Sequence, residues 1–381
     1  MLAGDNVRKV AIVGGNRIPF ARSNTAYFEV DNQEMLTAAL NGLVDRFKLH
    51  GERMGEVAAG AVMKHAKDFN LVRECVLGSK LAPETPAYDL QQACGTGLEA
   101  AILVANKIAL GQVDCAVAGG VDTTSDAPLG VNEQARKIFM EINRAKSNGD
   151  KLKQAVKLLN PKLMIPDIPK NGEPRTGLSM GEHQVITAAE WGISREAQDE
   201  LAWRSHQNLA KSYEEGWQGD LMTPFHGLER DNNMRGDSTI EKLSTLKPVF
   251  GGSEGTMTAA NSTPLTDGAS TVLLASEDWA QERGLPVQAY LTLLIRWLPP
   301  SYGLLGVCML VVSASNALGW PMRAMLISFL RLFLCYLPLL WLGYQLGDFG
   351  GLALGAAFGN LLAGVMAWMF YQQALGKAVN S

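Results

Sequence analysis

The feature that most restricts the fold of this chain is a change of solvent preference partway along it. From Leu291 to Tyr371 the only charged residues are Arg296, Arg323, Arg331 and Asp348, whereas the stretch before about Pro286 carries charge throughout. Three apolar spans stand out in the charge-poor part: Leu298 to Leu318, Met325 to Leu346 and Phe349 to Tyr371. Each is close to the ~20 residues that a helix needs to cross a bilayer. The short runs GWPMR and GDFGG separate them, and Gly355, Gly359 and Gly364 suit close helix packing in lipid. Three buried helices of a soluble domain are the competing reading, disfavoured because so few polar residues interrupt the spans. Residues 291–381 are therefore expected to be an all-α transmembrane tail of three helices.

The preceding part alternates strand-like and helix-like segments. KVAIVGG and GEVAAGAVM read as buried strands, NQEMLTAALNGLVDRF and LVRECVLGSKL as helices, and DCAVAGGVDTTS as a glycine-interrupted strand. This order predicts an α/β layered domain with a largely parallel sheet. From Ala127 to about Leu243 the pattern is less regular and rich in charge, with one clear helix in SREAQDELAWRSHQNLAKSYEEG, opened by Ser194. That stretch reads as an inserted lid. Strand character returns in GTMTAANSTPLTDGASTVLLAS. The expected division is residues 1–290, with the lid at 127–243, followed by the tail at 291–381.

Several classes of function are disfavoured by composition. The net charge is −4 and no basic stripe interleaved with aromatics occurs, so nucleic acid is not an expected partner. Five cysteines without regular spacing and without CxxC argue against a disulfide scaffold or a metal site, and suit a reducing compartment. MLAGDNVRKVAIVGG has no apolar run of signal-peptide length. IVGG is followed by NRIPF, which lacks the further glycines of a dinucleotide turn and carries Pro19 where a helix would open.

The most informative local stretch is YDLQQACGTGLEAAILV. Leu98, Ala101, Ile102, Ala105, Ile108 and Ala109 have helical apolar spacing, and Gly111 can stop the helix. Cys94 then lies at or just before a helix N-terminus, where unpaired backbone N–H groups and the positive end of the dipole favour an anion. Gly95 and Gly97 leave room beside the sulfur. A small buried cysteine is the competing reading, and local sequence leaves both open.

QQACGTGLEA resembles the nucleophile segment of a thiolase, of the fatty-acid-oxidation or acetyl-CoA acetyltransferase type. Collinear with it, VAIVGGNRIPFAR is similar to that family's opening strand and loop, EPRTGLSMGEH to its methionine-glycine lid motif, and RGDSTIEKLSTLKPVFGGSEGTMTAANSTPLTDGAS to its coenzyme A stretch. The matches run over roughly Val7 to Tyr290. The resemblance implies a thiolase-like half-fold with an inserted lid, commonly in a dimer or tetramer. It makes Cys94 the nucleophile that takes the acyl group of a 3-ketoacyl thioester. It carries coenzyme A contacts to Met180, Arg235, Phe250 and Thr263, with acyl-CoA as substrate and no covalently bound cofactor. An arginine can stack on adenine or meet phosphate, and Met180 and Phe250 can line a pantetheine tunnel. Asn261 and Asp267 are expected to hold loop geometry.

A thiolase repeats its half-fold, and the second half supplies a water-positioning asparagine, a glycine-histidine-proline segment and a second cysteine. None is found after Tyr290. His226, in PFHGLE, lacks the proline, His50, His65, His183 and His206 show no catalytic pattern, and Cys308 and Cys335 fall within apolar spans. An acyltransferase with impaired activity is therefore expected. The tail resembles the last three helices of a multidrug and toxin extrusion transporter, which implies a lipid partner and raises transport as an alternative; a non-catalytic coenzyme A-binding module is another. The positive-inside rule puts GWPMR and the C-terminus in the cytoplasm and the thiolase-like part outside, whereas that part lacks an export run and is expected to be cytoplasmic. Opposed topologies suggest a junction of two gene fragments near Leu291 to Arg296.

Overall fold

The computed structural model describes residues 7–285, 306–313, 315 and 320–379. The chain divides into two units, Met1–Pro286 and Val287–Ser381.

In the first unit the strands are β1 (Val10–Arg17), β2 (Ala21–Arg22), β3 (Glu56–Ala59), β4 (Ala87–Asp89), β5 (Cys115–Asp122) and β6 (Thr266–Ser276). They stand in the order β1-β6-β5-β3-β4, with β2 paired to β6. β3 runs parallel to β4 and β5, but β6 runs antiparallel to β1 and β5. The sheet is thus mixed, which corrects the largely parallel sheet expected from strand-helix alternation. Helical crossovers give β1, β3, β4 and β5 one common direction, and among the described strands β6 alone runs against it. β6 arrives after a long insertion, so its direction is set by a connection that local periodicity does not encode.

The helices of this unit are α1 (Asn32–Phe47), α2 (Leu71–Leu77), α3 (Thr96–Ala109), α4 (Glu133–Arg144), α5 (Asn148–Ala155), α6 (Met180–Glu190), α7 (Arg195–Glu214), α8 (Ile240–Ser244) and α9 (Glu277–Glu282). α1 starts where the Asp31 side chain accepts from the Glu34 amide at 2.8 Å, and ends at Lys48, whose φ of 57° breaks the helix. α3 buries Ala100, Val104 and Ile108, spaced by four, against Ala58, Ala116, Ala118 and Leu274. Successive residues of β6 serve opposite faces. Thr271 donates to the Ala39 carbonyl of α1 at 3.2 Å, while Val272 and Leu274 pack toward α3. The result is a helix-sheet-helix sandwich, with α4 to α8 lying between β5 and β6 in sequence.

In the second unit, α10 (Pro321–Leu330) leads through one wider π-helical turn, Arg331–Tyr336, into α11 (Leu337–Val379). α11 is not straight. At ~1.5 Å per residue a straight helix would hold Leu339 and Gly355 about 24 Å apart. Their backbones instead touch, as do Gly343 and Gly351, and Tyr336 and Gly359. The stretches before and after this part of the helix therefore fold back on each other. Among the described residues two helical stretches, Ala324–Leu346 and Gly351–Gln372, are long and apolar enough to cross a membrane by length and composition. Of the expected span Leu298 to Leu318, residues 306–313 are helical and most of the rest lies outside the described residues. Cys308, Val311, Ile327 and Ala367 form a small buried cluster in this unit.

Candidate active site

Between the end of β4 at Asp89 and the start of α3 at Thr96, the chain turns sharply and places Cys94 at its tip. Thr96 locks the turn: its buried hydroxyl accepts from the Gln92 amide at 2.9 Å and donates to the Ala93 carbonyl at 2.7 Å. The Gly95 amide also donates to Gln92 O at 2.9 Å. Ala93 is driven to φ 45°, a left-handed conformation that costs a residue with a Cβ and persists only where surroundings over-determine it. Gly60, just past β3, is required by close approach, since a Cβ there would fall 1.8 Å from the Leu90 carbonyl oxygen. Among the described residues the Gly97 and Leu98 amides, in the first turn of α3, have no protein acceptor. Such a helix start favours negative charge beside it.

Cys94 is exposed, whereas Cys75, Cys115, Cys308 and Cys335 are buried. Burial pushes the Cys75 thiol up to about 12, and pushes Cys115 up as well, so neither serves as a ready thiolate. Cys94 opens onto a cleft of about 250 Å³ at the ends of β3 and β5 and the start of β6. Phe20 is the largest side chain on its wall; Gly60, Ala93, Gly97, Gly120 and Gly268 keep the rest narrow-shouldered and open. Asp122 also lines it. Burial raises its carboxyl, opposed by hydrogen bonds that its Oδ1 accepts from the Met63 and Val62 amides, both at 2.9 Å. Asp122 and Phe20 do not stand out in the sequence. The available signals were an acid ending the apolar strand DCAVAGGVD and a phenylalanine after Pro19, neither distinctive alone.

No histidine lines this cleft among the described residues. His65 meets Asp126, His50 meets Asp45 and His226 meets Glu34, the last two at 2.7 Å. His183 lies 3.3 Å from Thr176 Oγ1 and 3.4 Å from a Glu173 oxygen. His206 accepts from the Arg235 amide, and burial lowers its pKa.

None of the four other residues singled out in the sequence lines the Cys94 cleft. Met180 opens α6 and is 72% exposed, on a helix start capped reciprocally by Ser179 and Glu182. The Phe250 ring lies against Gly181, which brings Phe250 to that same first turn. Arg235 is exposed, and its guanidinium donates to Met234 O at 2.9 Å. Thr263 is exposed, with its hydroxyl 3.3 Å from Pro264 O. No described hydrogen bond or ring contact joins Arg235 or Thr263 to Met180 or Phe250. Asn261 closes its loop by accepting from the Thr258 amide at 2.7 Å and donating to Asp199 and Thr256 O, both at 2.9 Å. Asp267 is fully buried and accepts from the Thr124 and Ser125 amides at 2.7 and 3.1 Å.

Residues 10–278 match the family profile described as "Thiolase, N-terminal domain". The 3-ketoacyl-CoA thiolases of Yersinia pestis (strain Pestoides F) and Yersinia pseudotuberculosis serotype O:1b (strain IP 31758) are each 39% identical over 289 residues, which are 74% of this chain. The chain spans 66% of the length of these curated relatives. Among solved structures it is similar to the Bacillus anthracis acetyl-CoA acetyltransferase, with TM-score 0.62 and 26% identity, covering 74% of this chain and 69% of that one. It shares its fold with human mitochondrial 3-ketoacyl-CoA thiolase in complex with CoA, at TM-score 0.61 and 24% identity, covering 74% of this chain and 68% of that one. The profile match, the identity and the shared mixed α/β sheet together show that this chain belongs to the thiolase family, through its N-terminal domain.

Proposed function

We propose that the chain is a thiolase-type acyltransferase that takes the acyl group of an acyl-CoA or 3-ketoacyl-CoA onto Cys94. The observation that carries this reading is Cys94 itself, the one exposed cysteine of five, presented by a locked turn at a helix start over an open cleft. In the thiolytic direction its sulfur attacks the 3-keto carbon. The C2–C3 bond breaks with its electron pair passing to the enolate of acetyl-CoA, which takes up a proton, and the acyl group stays on sulfur until the thiol of CoA accepts it. Met180 and Phe250, adjacent at the start of α6, are proposed to flank the pantetheine arm, with Arg235 and Thr263 meeting the nucleotide end. Residues 127–243 would act as the lid over that arm, within a domain at 1–290 that pairs with a second copy. Because no described histidine lines the cleft, the reaction is proposed to be impaired, short of acid-base help typically worth roughly 10²- to 10⁴-fold per group. Incubating the full chain with acetoacetyl-CoA should add an acetyl group to the Cys94 peptide by mass spectrometry. No adduct, or equal labelling of Cys94→Ser, would sink the nucleophile assignment.

For residues 291–381 we propose a membrane tail resembling the last helices of a multidrug and toxin extrusion transporter. Two long apolar stretches folded back on each other through small residues support it. If the tail confers transport, drug efflux from cells expressing the full chain should vanish when 291–381 is removed; drug accumulation that is the same with and without the protein would dispose of the transport reading.

A further inference from the structure

Phe20 is held from three sides. Its amide donates to Asp231 Oδ1 at 2.7 Å, the Arg17 guanidinium lies 4.6 Å from its ring centroid, and its ring rests on Gly268, where a Cβ would come within 2.3 Å of Cδ1. The two residues that clamp it also clamp each other. Arg17 meets Asp231 through two parallel bonds, Nη1 to Oδ1 at 2.7 Å and Nη2 to Oδ2 at 2.9 Å, with side chains only 17% and 5% exposed. Arg17 belongs to β1, whereas Asp231 follows α7 and is tied back to it, since the Asp231 amide donates to the Tyr213 hydroxyl at 3.0 Å. Gln218, also past α7, accepts from Arg17 at 3.3 Å.

A buried ion pair can simply dock one segment on another. Here both members also hold the one bulky residue on the wall of the Cys94 cleft, Arg17 at its ring and Asp231 at its backbone amide, while the other walls are mainly glycine and alanine. Resting on the reading of Cys94 as acyl acceptor, we propose that Phe20 sets the size of acyl group that reaches Cys94. In the same proposal the Arg17–Asp231 pair positions Phe20, so that the segment after α7 governs access. Phe20 is the specificity-determining side chain, and Arg17 and Asp231 act through it. Removing the ring opens the wall. Loosening the pair lets the ring move without changing its size, which gives the same change in smaller degree.

The test uses the full chain and two thiol reagents of identical chemistry, N-methylmaleimide and N-cyclohexylmaleimide, with rates at the Cys94 peptide followed by mass spectrometry. The ratio of the bulky to the small rate cancels any general change in thiol reactivity. Phe20→Ala should raise that ratio by about tenfold, in line with the discrimination a few methylenes supply in an apolar pocket. Asp231→Asn and Arg17→Lys should raise it less, and should add nothing in the Phe20→Ala background. Arg17→Lys keeps the charge and loses the fork, so it decides the matter if Asp231→Asn does not fold. An unchanged ratio in Phe20→Ala would overturn the wall assignment. An unchanged ratio in folded Arg17→Lys, or an equal rise with and without Phe20, would reduce the pair to a docking contact. The same variants offered 3-ketoacyl-CoAs of increasing chain length should show longer acyl groups on Cys94. Altered maleimide ratios with no acyl adduct from any of them would overturn the acyl reading, so the two failures separate.

Discussion

Helix α1 buries Met35, Leu36, Ala39, Leu40, Leu43 and Val44 against the sheet, whereas α4 and α6 bury one alanine each and α5 buries nothing. The insertion between β5 and β6 is tied to the strands at polar points: Arg17 to Asp231 at 2.7 Å, Thr223 to Asn16 at 2.8 Å, and the Arg22 amide to Asn232 at 2.6 Å. Apolar packing spreads stability over many side chains. Polar latches concentrate it, because a buried charge that loses its partner costs far more than the pair contributes. A region held in this second way tolerates most changes and fails at single residues.

The largest effect should therefore come from the loosely packed region. Asp231→Ala leaves Arg17 uncompensated and should cost about 3–5 kcal/mol, seen as early proteolysis of residues 213–233 and a lower denaturation midpoint. Loss no greater than that of a surface change would break the comparison. In the core, Leu40→Ala, at a site 1% exposed, should cost about 2–5 kcal/mol by chemical denaturation. Thr96→Val removes the hydroxyl that holds the Cys94 turn and should cost about 1–3 kcal/mol. Leu201→Ala on α7, 71% exposed, should stay within about 0.5 kcal/mol.

Acid sharpens the contrast without mutation. Burial by itself would raise the Asp231 carboxyl, but the Arg17 hydrogen bond and the Phe20 amide outweigh it and hold the carboxyl below the usual range. A depressed carboxylate contributes stability that is present above its unfolded pKa, about 4, and is lost as pH falls through the folded value. Amide exchange in residues 213–233 should accelerate below about pH 4 ahead of α1 and α3. Loss of protection in all three at one pH would contradict a local latch.

What was legible in the sequence follows the range of the interactions. The helix after Cys94 and the strand in DCAVAGGVDTTS reflect spacing of four and two residues, which a short window contains. The direction of β6 and the Arg17–Asp231 pair do not, because partners 214 residues apart leave no local pattern. Phe20 was invisible for the same reason: its role comes from what clamps it. Met180 and Phe250, far apart in sequence, come to one helix turn, which no local pattern shows.

On the proposed reading Cys94 passes an acyl group on, beyond merely reacting. A chase measures it directly: acetylate Cys94 with acetoacetyl-CoA, remove excess reagent, add free CoA, and follow the Cys94 peptide and the appearance of acetyl-CoA. Loss of acetyl from Cys94 that depends on CoA and matches the acetyl-CoA formed is the predicted result. An acetyl group that stays in place, or leaves equally fast without CoA, would contradict acyl transfer by this chain.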